Sequence, residues 1–340
     1  MELPVKAFLQ LRTELPVADV RSEGEYLAGH IPHAVNIPLL NNAARAAVGI
    51  AYKNSGQAEA IRTGFRLAGP HLADLIEQAE QLTGNKKELI AHCWRGGMRS
   101  DYFSRFCQMA GLACHTLQDG YKAYRKLAHQ YFAKGWQLRI IGGLTGTGKT
   151  EILHALRQHG EQVIDLETLA CHRGSVFGGL NMPPQPTTEQ FENNLFEELL
   201  RMDISKPVWL EDESVAIGKV FLPQPLWKRM AVSPVIVLQT EKSVRIQRLV
   251  AEYAPADTNS FLEALKTIIP RLGHAAYRQA HNSVLAGNWA DAINCILTYY
   301  DKAYLNGLNR RQHRIAAHIA WDGKNTESVV QQLVSQNFST

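Results

Sequence analysis

His92-Cys93-Trp94-Arg95-Gly96-Gly97-Met98-Arg99-Ser100 decides how the first part of the chain folds. The apolar run Glu88-Leu89-Ile90-Ala91 leads into it and reads as a buried strand. Asp101-Tyr102-Phe103-Ser104-Arg105-Phe106 leaves it and opens an amphipathic helix, with Phe103, Phe106 and Met109 on one stripe. Cys93 is therefore placed where a strand ends and a Gly-rich loop curls into a helix N-terminus. Backbone N–H groups in such a loop face inward and attract an anion. Arg95 and Arg99 add positive charge. A cysteine in that field has a lowered pKa and exists largely as thiolate. Gly96 and Gly97 let the backbone wrap a tetrahedral or persulfide-sized group without a Cβ clash. The plain alternative is a core cysteine that happens to precede a helix. The flanking glycines and two arginines fit that alternative poorly.

Outward from this loop the chain alternates strands and helices. Leu15 to Val20 reads as a strand. Ser22 and Glu25 form a capping box for a short helix. Ala34 to Ile37 is a second strand, after a turn at Gly29 to His33. Residues 41–65 are polar and weakly periodic, and predict a short helix and a loop. Pro70 starts a clear helix, with Leu72, Leu75, Ile76, Ala79 and Leu82 on one face, and Gly84 stops it. After the Cys93 loop and its helix, Leu112 to Leu117 is another strand. Asp119-Gly120 turns into a basic helix, Tyr121 to about Phe132, that contains Arg125. This alternation predicts an α/β domain with a parallel sheet.

Asp19-Val20-Arg21-Ser22, Glu25-Tyr26 and Gly29-His30-Ile31-Pro32-His33-Ala34-Val35-Asn36-Ile37-Pro38 resemble the opening of a rhodanese domain, with Cys93 where that family carries its persulfide-forming cysteine. The resemblance covers residues 1–132 and implies that Cys93 carries sulfur or selenium during turnover. One departure is the Cys-x₅-Arg spacing from Cys93 to Arg99, preceded by His92. It is similar to the His-Cys-x₅-Arg-Ser loop of cysteine phosphatases, which is wide enough for a phosphate, so selenophosphate would fit.

A second domain is expected over residues 133–240. Gln137 to Gly142 reads as a strand, and Gly143-Leu144-Thr145-Gly146-Thr147-Gly148-Lys149-Thr150 follows it directly. This is Gly-x₄-Gly-Lys-Thr, with Ile152, Leu153 and Leu156 turned inward on the helix behind it. Strand, Gly-rich loop and helix make the context a P-loop requires. Its N–H groups would cradle a diphosphate, Lys149 would neutralise it, and the Thr150 hydroxyl would ligate Mg²⁺. Gln162 to Asp165 reads as a strand ending in a carboxylate, with Glu167 close by. Val208 to Glu213 reads as another with an acidic end. Asp165 and Glu211 are the candidates for metal or metal-bound water, and each serves equally well as a helix cap or a strand end. Pro234 to Leu238 is purely apolar and suits a central parallel strand. His172-Arg173-Gly174-Ser175-Val176-Phe177-Gly178-Gly179 is a further basic, Gly-rich stretch, and Asn181 to Thr188 reads as an irregular flap or an ordinary surface loop.

Residues 241–340 are expected to be a helical extension packed on the P-loop domain. Leu249, Leu262, Leu265, Ile268, Leu285, Trp289, Ile293, Ile296 and Tyr299 recur at helical spacing. Arg245, Arg248, Lys266, Arg271, His274, Arg278, His281, Arg310, Arg311, His313 and Arg314 lie between them, with Tyr277, Tyr300 and Tyr304 interleaved. They suggest an RNA-binding face or, equally, a solvated helix surface.

At 340 residues the chain is long enough for two cores. The net charge of +4 is a mild lean toward polyanions. Five widely spaced cysteines without a Cys-x-x-Cys pair read as reduced thiols. No apolar run approaches membrane-spanning length, and Met1 to Lys6 lacks the plan of a signal peptide, so a cytoplasmic location without membrane attachment is expected.

A chalcogen-carrying cysteine followed by a diphosphate cradle resembles tRNA 2-selenouridine synthase. Cys93 to Ser100, Gly120 to Arg125, Gly143 to Thr150, His172 to Ser175 and Glu211-Asp212-Glu213-Ser214 agree with that family over nearly the whole chain. The resemblance implies a transferase that converts 2-thiouridine at the tRNA wobble position to 2-selenouridine through an S-geranyl intermediate. It implies geranyl diphosphate and selenophosphate as co-substrates, and an enzyme that supplies the selenophosphate as a partner. Cys93, Arg95, Arg99 and Lys149 would be catalytic, Gly143, Thr145, Gly146, Thr147, Gly148, Lys149 and Thr150 would hold the diphosphate, and Arg125, Arg173 and Ser175 would touch the tRNA. Two other readings predict different behaviour. A P-loop ATPase or kinase with a sulfur-delivering or regulatory rhodanese half would turn over nucleotide without tRNA. A non-catalytic tRNA-binding protein would leave the nucleoside unchanged.

Overall fold

The computed structural model describes residues 1–336 and 338. Two compact units divide the chain: residues 1–131 with 192–197, and residues 132–191 with 198–340.

In the first unit the elements are β1 (Glu2–Leu3), α1 (Val5–Leu11), β2 (Val17–Asp19), α2 (Glu23–Ala28), β3 (Val35–Asn36), α3 (Asn42–Ala68), α4 (Leu72–Thr83), β4 (Glu88–His92), α5 (Met98–Met109), β5 (Ala113–Leu117) and α6 (Gly120–Phe132). The sheet order is β1-β5-β4-β2-β3, and every pairing is parallel. β4 is the middle strand and is almost wholly buried, which explains its unbroken apolar run. The core packs Leu89, Ala91, Phe103, Cys107 and Cys114 with Leu75 and Ala79 of α4. The Ser22–Glu25 capping box forms as its spacing predicts.

Two expectations for this unit change. The stretch 41–65 is not a short helix and a loop: Asn41 caps α3 by accepting from Ala44 N at 2.8 Å, and helix continues to Ala68. Only Gly56, at φ 80°, breaks it into two arms. The buried residues of α3 are the alanines 44, 60 and 68, so the helical pattern is too faint to read. In α5 the helix begins at Met98 rather than Asp101, and Met109 is 86% exposed. Cys107, not Met109, fills the buried stripe beside Phe103.

In the second unit the elements are β6 (Leu138–Gly143), α7 (Lys149–Gln158), β7 (Gln162–Val163), α8 (Leu166–Ala170), α9 (Thr188–Leu200), β8 (Val208–Glu211), β9 (Ala216–Ile217), β10 (Val220–Phe221), α10 (Gln224–Met230), β11 (Val235–Gln239), α11 (Lys242–Tyr253), α12 (Thr258–Thr267), α13 (Ile269–Leu272), α14 (His274–Leu285), α15 (Trp289–Arg310), β12 (Ile315–Ala320) and α16 (Thr326–Ser335). Residues 192–197 of α9 count with the first unit. The main sheet is β12-β11-β6-β8-β7, all parallel, and β9 and β10 form a separate antiparallel pair. One core packs α7 and α16 on the sheet, and a second joins Phe177 to α11, α12, α14 and α15.

Among the described residues of 241–340 the elements are helices except for β12, which adds an edge strand to the P-loop sheet. Its Ile-Ala-Ala-His-Ile-Ala sequence is short and weakly apolar, as an edge strand permits, and it follows a basic run that hides it. Among the described residues no helix is long and apolar enough to cross a membrane.

Candidate active sites

Cys93 stands at the carboxyl end of β4, the middle strand. Its Sγ accepts hydrogen bonds from the Gly97 N–H and from the Ser100 hydroxyl, each at 3.3 Å. Burial alone would raise the thiol's pKa. Donors outweigh it: the Ser100 hydroxyl and N–H, then the Arg95 and Gly97 N–H groups, bring it below the ordinary value. The anion-attracting loop read from the sequence is thus built around sulfur.

The loop is locked from beneath by a turn outside the motif. Gly120 has φ 56°, and a Cβ there would lie 2.3 Å from the Cys93 carbonyl oxygen and 2.5 Å from Gly96 N. Tyr121 N donates to the Cys93 carbonyl at 2.9 Å, and Lys122 N to that of Trp94 at 3.0 Å. Asp119-Gly120 reads from sequence merely as a turn; its support of the Cys93 loop depends on β4 and β5 being neighbours.

The two loop arginines differ. Arg95 is exposed and makes no ion pair among the described residues. Arg99 is bound to Glu25 through two hydrogen bonds, of 2.7 and 3.2 Å. Glu25 also takes Arg45 at 3.0 Å. Burial opposes ionisation of Glu25, but Arg99 and Arg45 hold it below the usual carboxylate range. His92, the other residue of the phosphatase-like spacing, does not line the loop. It is buried, 3.8 Å from Asp19 Oδ2, and burial pushes its pKa down. Asp19 is in turn clamped by Arg21, whose guanidinium lies 4.0 Å from the centre of the Tyr121 ring.

A cavity of about 760 Å³ opens in front of the loop, with Cys93, Arg95, Arg99 and both arms of α3 in its wall.

The P-loop lies between β6 and α7, as its motif requires. Gly146 and Gly148 have φ 81° and 82°. At the φ of Gly148 a side chain is strained, and a Cβ there would also lie 2.6 Å from the Trp321 ring, so the position favours glycine. Among the described residues no acceptor meets the N–H groups of Gly146, Gly148, Lys149 or Thr150, so the cradle is open to an anion. Gly143, Thr145 and Thr147 also make the contacts that hold the loop together. Gly143 N donates to Tyr304 Oη at 2.7 Å. The Thr145 carbonyl accepts from Arg245 at 3.1 Å. The Thr147 hydroxyl is buried and donates to the Leu144 carbonyl at 2.8 Å, while its carbonyl accepts from Arg248 at 3.1 Å.

The acidic groups around this loop are arranged differently from the expectation. Asp165 caps α8, accepting from Thr168 N at 2.8 Å, and binds His154 at 2.8 Å. Glu211 is fully buried and accepts from Leu166 N at 3.0 Å. Desolvation, reinforced by Asp165 and Glu167, pushes its pKa well up. These contacts realise the helix-cap and strand-end roles that the sequence also allowed for the two carboxylates. Glu167, missed as a candidate because it stands inside α8, accepts from the Thr150 hydroxyl at 3.4 Å. Burial, together with the neighbouring charge of Glu167, pushes Glu213 up to about 8, against the opposing pull of Lys149.

The expected tRNA contacts are engaged within the fold. Arg125 binds Asn193 at 2.7 Å and also Glu192. Arg173 binds Glu252 at 3.1 Å and the Leu180 carbonyl at 3.2 Å. The Ser175 hydroxyl accepts from Phe177 N at 3.2 Å. Three of the C-terminal arginines are likewise engaged within the fold. Arg245 is 2% exposed and pairs with Asp301, Arg311 pairs with Asp212, and Arg314 donates to the Ser233 and Met230 carbonyls.

A family model described as the tRNA 2-selenouridine synthase AAA domain matches residues 136–337, and one for the rhodanese-like domain matches residues 5–127. Proteins called tRNA 2-selenouridine synthase align along most of the chain. That of Marinobacter nauticus is 33% identical over 89% of this chain and 90% of its own. That of Sulfurovum sp. is 33% identical over 88% and 90%, and that of Salmonella arizonae 33% over 92% and 94%.

Proposed function

The chain belongs to the tRNA 2-selenouridine synthase family, and from that premise we propose that it replaces the sulfur of 2-thiouridine at the tRNA wobble position by selenium in two steps. The open P-loop carries the reading: its unclaimed N–H groups, beside Lys149, are built for a diphosphate. A thiocarbonyl sulfur leaves poorly, and alkylation makes it a good leaving group. In the first step that sulfur attacks C1 of geranyl diphosphate. A C–S bond forms, the C–O bond breaks, N3 loses its proton and diphosphate departs. Lys149 and the P-loop N–H groups take up the developing charge.

The Thr150 hydroxyl and the Glu167 and Glu213 carboxyls are hard oxygen donors beside the cradle. They fit Mg²⁺, which takes the rest of its ligands from water and phosphate oxygens. Among the described residues no cluster of three acidic, His or Cys side chains forms a complete cage. When bound, the ion would neutralise diphosphate charge.

In the second step the Cys93 loop holds selenophosphate. Its selenium adds to C2 of the base, the C–S bond breaks, and geranylthiolate leaves and is protonated. A cysteine perselenide drawn from selenophosphate would need a two-electron oxidant, which this reaction does not supply. The Cys93 thiolate instead takes the phosphoryl group from selenium. An S–P bond forms, the P–Se bond breaks, and water then releases phosphate. The lowered pKa of Cys93 and the Ser100 bond to its sulfur suit that role. The wobble base lies in an exposed loop of tRNA and is presented without melting a duplex.

The test is a nucleoside mass profile of thiolated anticodon stem-loops incubated with the protein, selenophosphate and Mg²⁺, with and without geranyl diphosphate. 2-Selenouridine is expected only with both donors. Selenation without geranyl diphosphate would defeat the two-step reading, and tRNA-independent nucleotide turnover with no change of the nucleoside would favour an ATPase.

A further inference from the structure

The cavity before Cys93 is larger and more apolar than selenophosphate needs. Its volume, about 760 Å³, is that of a small-molecule pocket. Both arms of α3 wall it, the first through Val48, Gly49 and Ile50, the second through Ala60, Ile61 and Phe65. The arms are close, since a Cβ on Gly64 would lie 3.8 Å from a Val48 methyl group. Ile50 and Phe65 remain 61% and 48% exposed, an unusual state for large apolar groups on one face. The opposite wall is polar and reactive: Cys93, Arg95 and Arg99.

An occupant must therefore combine a hydrocarbon chain with a group that reacts at the Cys93 loop and carries negative charge nearby. Free lipid lacks the reacting group, and unprenylated RNA lacks the chain. We infer that this cavity binds the S-prenyl group of the alkylated wobble nucleoside, with C2 of the base turned to the Cys93 loop and RNA phosphate near Arg95. The inference rests on the two-step reading above and adds where the chain goes. It gives the geranyl group a second use, since a chain anchored in α3 carries the base from one step to the next. A cleaved geranylthiol, no longer tied to RNA, leaves through the exposed mouth.

The experiment uses the full chain and anticodon stem-loops carrying 2-thiouridine or its S-methyl, S-dimethylallyl or S-geranyl derivative. Affinity is read by fluorescence anisotropy without selenophosphate. Each CH₂ withdrawn from water is worth about fourfold in affinity, so wild type is expected to prefer geranyl over methyl by about a hundredfold or more. Gly49→Trp and Ala60→Phe fill the cavity and are expected to reduce that preference below about tenfold, while binding of the unalkylated stem-loop stays unchanged. A geranyl chain ending in a diazirine is expected to label peptides of α3 in the wild-type protein, which settles the matter even if a variant fails to fold. Labels confined to residues 198–340, or a geranyl preference untouched in both folded variants, would overturn the inference while leaving the two-step reading intact. Failure of wild type to convert the S-geranyl stem-loop to 2-selenouridine when selenophosphate is added would overturn both.

Discussion

Arg99 and Glu25 meet through two hydrogen bonds, 2.7 Å from Nη1 to Oε2 and 3.2 Å from Nη2 to Oε1, and so a helix-capping carboxylate also fixes the loop arginine beside Cys93. Glu25→Ala is expected to cut selenation about tenfold or more by freeing Arg99, with geranylation unchanged. It also removes the capping box, at about 1 kcal/mol. Because the folded-state pKa of Glu25 is held down, its stabilisation is present above the unfolded value near ~4.3 and disappears as pH falls through the lower folded value. The acid limb of a melting-temperature profile checks this, and should flatten in the variant.

Cys93 should react as a thiolate. The pH midpoint of its alkylation by iodoacetamide is expected below the ~8.5 of a free cysteine. Ser100→Ala removes a donor to sulfur and should move that midpoint up. A midpoint at or above the free value would show that burial wins over the donors.

Glu213 provides a proton count. With its pKa raised to about 8, it is mostly protonated at pH 7. Binding of Mg²⁺ with diphosphate near Thr150 and Glu167 should release that proton. Calorimetry in buffers of different ionisation enthalpy is expected to show the release in wild type and its loss in Glu213→Gln. Chelating Mg²⁺ should abolish it as well.

Arg245 and Asp301 form a buried, doubly hydrogen-bonded pair at 2.8 and 2.7 Å under the P-loop, where Arg245 also holds the Thr145 carbonyl. Asp301→Ala leaves a buried charge unmatched and is expected to destabilise by about 3–5 kcal/mol. Denaturant unfolding measures this.

That pair shows where sequence reading reaches its limit. Strand ends, caps and glycine spacing are local, so β4, the Ser22–Glu25 box and the P-loop were legible as such. Which charge meets which is not local. Arg245 and Arg311 look like RNA-facing residues until Asp301 and Asp212 are brought to them by the fold. Asp165 and Glu211 carry the acidic character of a metal site, and only the fold shows that Thr168 N and Leu166 N also donate to them. The cavity over Cys93 was hidden for a related reason. Its wall is α3, and a helix that lines a cavity through small or half-exposed residues has little periodicity to show.

The division of labour between the two loops is tested most directly by the products that Cys93→Ala and Lys149→Ala make from thiolated stem-loops given both donors and Mg²⁺. Mass analysis should find S-geranyl-2-thiouridine accumulating without 2-selenouridine in Cys93→Ala. It should find neither product in Lys149→Ala, with 2-selenouridine restored when S-geranyl stem-loop is supplied. Normal selenation by Cys93→Ala would contradict the account.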